Sequence, residues 1–293
     1  MSSARRYVPD LPPVFLGRQA VQERLLTPGQ LRGPSVQRVL HGVYRLTSTP
    51  ESHEVRCLAA CLLLPAWAAV TGASAATVLG VPLAAATDDV RMVAPEGLSV
   101  PRRRGVHVSE ASEAFTAATR PDGLRLADRE RVAFDAASGQ RLPQAVATLD
   151  AMARAGVMDP DALSRWLDHH HGNGVRAVRE AVRLVDPRSE SRPESVMRIA
   201  LVTAGLPVVP QYVVLHRGRF VARLDLGLPE WQLGIEYDGA WHALREQLER
   251  DRARLNRLHE AGWNVVHVTA DMLHRPDELV AVVRAAMQRS QRT

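Results

Sequence analysis

The sharpest chemical signal in the chain is a group of carboxylates in the run RLDLGLPEWQLGIEYDGAWH, which holds Asp225, Glu236 and Asp238. Phe220–Leu228 and Leu233–Asp238 read as strands, whose side chains alternate between faces. One face then carries Leu224, Leu226, Leu228, Leu233, Ile235 and Tyr237. The other carries Arg223, Asp225, Gly227, Gly234, Glu236 and Asp238. If the connection Pro229–Gln232 closes the hairpin symmetrically, Leu228 opposes Leu233 and Asp225 opposes Glu236. Directly opposed Cβ atoms lie about 5 Å apart, and like charges at that distance are destabilising. A hard dication held by one or two carboxylates plus water and phosphate would offset the repulsion. Arg223, neutralising Asp225 on an exposed face, would offset it too, and spacing alone leaves both readings open. The loop Gly239–His242 follows at once, and the His242 imidazole has the chemistry of a general acid or base, or of a structural residue.

These residues need a scaffold. Glu194–Ala204 reads as a helix, Gln211–His216 as a strand, Ala243–Ala261 as a helix closed by Gly262, Asn264–Thr269 as a strand and Glu278–Gln288 as a last helix. With the acidic hairpin, the order is α-β-β-β-α-β-α. Ser191 and Glu194 have capping-box spacing, so the glutamate has a local role available as well as a chemical one. Arginines 245, 250, 252, 254 and 257 alternate with acids on the penultimate helix, a pattern of intrahelical ion pairs from which one or two can reach phosphate.

The polar stretch Asp186–Arg192 divides the chain: 186–293 forms the acidic-hairpin domain, 51–185 a helical and β middle region, and 1–50 a small module. That module reads as an extended arm, a short helix Gly17–Leu25, and a second helix capped by Thr27 with Pro28 first, through Leu31. A hairpin follows, Val36–Leu40 and Val43–Leu46 turning at His41-Gly42. Two short helices and a hairpin describe a small winged helix-turn-helix. The middle region reads as an apolar helix pair over His53–Leu79, strands over Asp89–Val108 around the basic turn Arg102–Gly105, and helices from Leu126 to Leu184. His169–His171 precede glycines at a helix end and read as a cap region rather than a metal tract. Cys57 and Cys61, one turn apart in an apolar segment, read as core residues.

Composition bounds the answer. At 293 residues, 46% hydrophobic and 24% charged, the chain is a globular protein of about two domains. No apolar stretch is long enough for a membrane span and residues 1–10 lack the apolar run of a secretory signal, so the expected location is the cytoplasm. The net charge is +5, a weak pointer to a polyanionic partner. Every basic residue is arginine, which excludes any mechanism that uses a catalytic lysine.

The acidic run, followed by RDRARLNRLHEAGWNVVHVTADML, resembles endonuclease-like domains related to very-short-patch-repair mismatch endonucleases, of the PD-(D/E)XK or restriction-endonuclease-like superfamily. The resemblance covers about 191–273. It implies an α+β chain whose C-terminal part is an α-β-β-β-α-β core. It also implies metal-dependent DNA cleavage with Mg²⁺ or Mn²⁺, in DNA repair or phage defence. By that resemblance Asp225 is the principal metal ligand, Glu236 the second acidic position, His242 the catalytic histidine and Glu194 the acid of the first helix, with Asp238 joining the metal set. The superfamily's usual lysine is absent, and Asp238 stands in its place. The segments VFLGRQAV, LTPGQLRG and HGVYRL resemble the winged-helix start of type IV abortive-infection antitoxins. That second resemblance implies an alternative function: a DNA-binding repressor or antitoxin, partnered by a cognate toxin, in which the nuclease-like domain is inactive.

Overall fold

The computed structural model describes residues 11–239 and 245–290. Helices and mixed sheets make the chain an α+β protein. It divides into two compact units, 1–136 with 165–171, and 137–164 with 172–293.

The first unit opens with β1 (Val14–Leu16), α1 (Gly17–Gln22), α2 (Pro28–Leu31), β2 (Val36–Leu40) and β3 (Val43–Leu46). The two helices and the hairpin fall where the sequence placed them. The arm adds β1 as an edge strand, giving the antiparallel order β1-β3-β2. Thr27 accepts a hydrogen bond from Gln30 N at 3.2 Å while the Gln30 side chain accepts one from Thr27 N at 2.8 Å. This reciprocal cap holds a helix of a single turn, too short to persist by itself.

The unit continues with α3 (His53–Leu63), β4 (Ala69–Val70), α4 (Gly72–Val78), β5 (Val90–Pro95), β6 (Val106–Ala111), β7 (Ala117–Thr119), β8 (Arg125–Ala127) and α5 (Arg129–Ala137). Its second sheet has the order β6-β5-β4-β8-β7. Two expectations change here. β5 and β6 run parallel, so the arginine turn belongs to a crossover and not to a hairpin. Leu126 lies in β8, and the helices begin only at Arg129. Cys57 and Cys61 are buried free thiols, Cys61 Sγ accepting from Arg125 N at 3.5 Å, with burial pushing both thiols up, as suits core residues. His170 stacks on Trp166, donates from Nδ1 to the Trp166 carbonyl at 2.6 Å and meets Glu113 through Nε2 at 2.9 Å, contacts at a helix end.

Next in the chain come α6 (Leu142–Arg154), α7 (Pro160–Asp168), which both units share, and α8 (Val175–Val182). The second unit continues with α9 (Arg192–Thr203), β9 (Val209–His216), β10 (Arg219–Leu228), a 3₁₀ turn Pro229–Trp231 and β11 (Leu233–Asp238). It ends with α10 (Arg245–Glu260), β12 (Asn264–Thr269), α11 (Ala270–Leu273) and α12 (Pro276–Ser290). From α9 onward this is the α-β-β-β-α-β-α order read from the sequence, with the one-turn α11 added before the last helix. The sheet runs β12-β11-β10-β9, antiparallel except for β11 and β12, which α10 joins in parallel. Leu226, Leu228, Leu233 and Ile235 pack on one face against Met197, Leu201, Leu279 and Val283. On the other face Leu224 packs with Leu258 and Trp263.

The polar segment at Asp186–Arg192 lies inside this second unit, because α6 is bound to α9 across it. Arg198 meets the fully buried Asp150 at 2.8 Å and donates to the Leu184 carbonyl at 2.8 Å. The other Asp150 oxygen accepts from Asp186 N at 2.7 Å. Among the described residues no helix is long and apolar enough to cross a membrane.

Candidate functional site

The site lies where the start of α9 meets the middle of the sheet. Ser191 caps α9 by accepting from Glu194 N at 3.3 Å. The Glu194 carboxylate does not return the capping-box bond to the cap residue. It accepts instead from Glu190 N at 2.8 Å and from the Gln211 amide at 2.9 Å, and it is buried. One residue therefore serves the helix start through its backbone and the sheet through its side chain.

Leu228 does oppose Leu233, and the ladder continues through Leu226 and Ile235. It stops one pair short of Asp225 and Glu236. Beyond that point Asp225 Oδ2 accepts from Tyr237 N at 2.9 Å, so a side chain takes the place of a strand carbonyl. On the other flank, Leu224 pairs with Tyr212 and Leu226 with Pro210, which puts Gln211 across from Asp225. Gln211 holds φ +53°, the left-handed region that costs a non-glycine residue about 1 kcal/mol or more.

The alternation expected along β10 breaks at this level. Leu224 sits in a different cluster from Leu226 and Leu228 and lies against Gly234, where a Cβ would come within 2.8 Å of it. A Cβ on Gly227, across from Gly234, would come within 2.5 Å of Tyr212. The glycine pair makes room for both side chains beside the acidic row.

The electrostatics follow from this packing. Burial pushes the Asp225 carboxyl up to about 6; the Tyr237 N–H and Arg254 oppose the shift, while Glu194 and Glu236 reinforce it. Glu236 is held by Arg254 of α10, whose Nη1 meets Oε2 at 2.8 Å and whose Nη2 meets Oε1. Arg254 also donates to the Arg223 carbonyl at 3.0 Å. Arg223 itself pairs with Glu190 at 2.9 Å, so it does not neutralise Asp225. Asp238 is exposed at the end of β11 beside Thr269, with no hydrogen bond or ion pair to the other acids among the described residues. His242 lies outside the described residues.

Asp225, Glu194 and Glu236 are thus brought together, and Asp238 stands apart. Among the described residues no group of three or more His, Cys, Asp or Glu side chains is arranged to hold a metal ion. The donor set still suits a hard dication of low protein coordination. Asp225 Oδ1 and Glu194 Oε1 receive no hydrogen bond among the described residues, and two carboxylates with water and phosphate are a common magnesium environment.

Two participants were not singled out in the sequence: Gln211, which orients Glu194, and exposed His267, the β12 partner of Glu236; Arg254, read only as one of five helix arginines that could reach phosphate, instead clamps Glu236. The alternation of Asn264–Thr269 was the available signal for His267. Nothing local marks Gln211.

No family model matches the chain. Two proteins of Mycobacterium tuberculosis are similar to it: uncharacterized protein MT2308 of strain CDC 1551 / Oshkosh and uncharacterized protein Rv2248 of strain ATCC 25618 / H37Rv. Each is 31% identical over 205 residues, covering 69% of this chain and 72% of its own. Among solved structures, a homing endonuclease catalytic domain aligns with 33% of this chain and 95% of its own, at 23% identity and a TM-score of 0.27.

Proposed function

The chain belongs to the family of these two mycobacterial proteins, and for it we propose a metal-dependent DNA endonuclease whose hydrolytic site is the acidic pocket of the second unit. The observation that carries the reading is Asp225: a desolvated carboxylate close to two others, with its proton affinity raised, one oxygen held by Tyr237 N–H and the other without a hydrogen bond among the described residues. Folding alone gains nothing from such crowding, whereas a dication would offset it.

Asp225 and Glu194 would hold Mg²⁺ or Mn²⁺, with Glu236 as the adjoining acid. When bound, the ion supplies an activated water and offsets charge on the scissile phosphate. The protein's own residues do the positioning. Gln211 fixes one Glu194 oxygen and Tyr237 N–H fixes one Asp225 oxygen, so both carboxylates present their second oxygen in a set direction. Arg254 holds Glu236 beside them through both guanidinium nitrogens and places a cation at the rim. Asp238, exposed at the strand end two residues beyond Glu236, would reach the ion only through water. His242 assists proton transfer at the leaving oxygen.

The test is incubation of the full chain with supercoiled and mismatched DNA and Mg²⁺ or Mn²⁺. Nicking or linearisation that EDTA stops, and that Asp225→Ala abolishes, is the expected result. Normal cleavage by Asp225→Ala would falsify the metal assignment.

A second reading is favoured by one observation, the two-point hold of Arg254 on Glu236. In it the unit binds DNA without cutting it, and the chain acts as a repressor or antitoxin with a cognate toxin as partner. Promoter binding by the purified chain, with no cleavage in either metal, supports that outcome.

A further inference from the structure

The arginine-bearing crossover belongs to the first unit, and its construction is unusual. Parallel neighbours are ordinarily joined by a dozen or more residues, most often a helix. Here β5 and β6 are joined by the shorter, irregular segment 96–105. Backbone bonds pin it at both ends: Glu96 N to the Ala111 carbonyl at 2.9 Å, Val106 N to Arg103 at 3.1 Å, and Val90 N to Gly105 at 3.0 Å. Gly105 has φ +85°, and a Cβ there would come within 2.7 Å of the Arg56 guanidinium and 2.9 Å of Leu40. The turn is therefore seated on α3 and held in one shape.

That shape exposes Arg102, Arg103 and Arg104 together. Arg91 and His107 are register partners and also exposed, since Val90 and Met92 on the alternate positions are buried. None of the four arginines makes an ion pair among the described residues. The triplet and His107 line a groove of about 560 Å³, with Val106 and Val108 on its wall and Glu110 as its one acidic lining residue. Beside it the Nε of Arg56 is buried without a hydrogen-bond partner.

Adjacent guanidinium groups repel, and pinning their loop prevents them from spreading apart. The arrangement suits a ligand that carries regularly spaced negative charge and accepts paired N–H donors, which is the phosphodiester backbone. We infer that the 96–105 crossover is a contact for the phosphate backbone of duplex DNA, in a unit separate from the acidic pocket. It extends the reading of DNA as partner, but its residues are different ones, so the two can fail separately.

The experiment measures binding of the full chain to a labelled duplex of about 30 base pairs by anisotropy, in EDTA, from about 50 to 200 mM salt. Each phosphate contact contributes about 0.9 to the log–log salt slope, so Arg102→Ala/Arg103→Ala/Arg104→Ala should lower the slope by about 2–3 and weaken binding by about an order of magnitude. The triple lysine variant should keep most of the slope. An unchanged slope and affinity in the triple alanine variant, with thermal stability intact, overturns the proposal. So does a wild-type chain that ignores duplex DNA at low salt, including one that instead binds anionic lipid vesicles. Cleavage by Asp225→Ala tests the pocket alone, whereas the salt slope of the triple alanine variant tests this contact alone.

Discussion

Asp225 is the residue on which charge, burial and geometry converge. Its carboxyl titrates at about 6 in the folded chain, against about 3.9 in an unfolded one. Below both values each state holds the proton and the group costs nothing. As pH rises from about 3.9 to about 6 the unfolded chain ionises while the folded one keeps its proton, so stability is lost across that window and stays lost above it, where the folded state carries a crowded, half-buried charge. Allowing for its partial exposure, the loss at neutral pH is about 1–2 kcal/mol. Asp225→Asn should therefore raise the melting temperature at about pH 7.5 and leave it little changed near pH 4. The amide oxygen can still accept from Tyr237 N, so the ladder end survives the exchange. Equal melting at both pH values would show that the acid is not under strain. Gly234 gives the packing counterpart: Gly234→Ala drives a methyl against Leu224, and a destabilisation of about 1–3 kcal/mol in urea unfolding is expected.

At the scale of elements, α9 matters most, because it carries Glu194 into the site. Its anchor is the buried pair of Arg198 and Asp150, and desolvation raises the Asp150 carboxyl even with the guanidinium beside it. Breaking one side strands a buried charge, so Asp150→Ala should cost about 3–5 kcal/mol, while replacing both partners with apolar residues should recover most of that. A double variant no better than the single one would contradict the ion-pair account. The same elements show what the sequence could and could not disclose. Periodicity and capping signals located α9, β10, β11 and the hairpin at His41-Gly42, because those signals are local. The Leu228–Leu233 register was legible because a four-residue connection allows it. The flip of Leu224 was not, since it arises with Gln211 adopting a left-handed conformation on a neighbouring strand. The polar stretch at Asp186–Arg192 looked like a linker for a related reason: Asp150, which binds it to α6, lies far away in sequence.

For the molecule as a whole, the account assigns hydrolysis to the second unit and a backbone contact to the first, each from its own residues. Of the acids read from the chain, Asp225, Glu236 and Glu194 converge through α9, β10 and β11, while Asp238 remains at the strand end. Tertiary contact alone made Arg254 a partner of Glu236, and a helix laced with alternating charges gave no reason to choose it. The most direct test of the central claim is calorimetric titration of the full chain with Mn²⁺, without DNA. The account predicts saturable binding at about pH 7.5, weaker binding at about pH 5 where Asp225 holds its proton, and loss of the site in Asp225→Asn. Failure to bind Mn²⁺, or identical binding by wild type and Asp225→Asn, would contradict it.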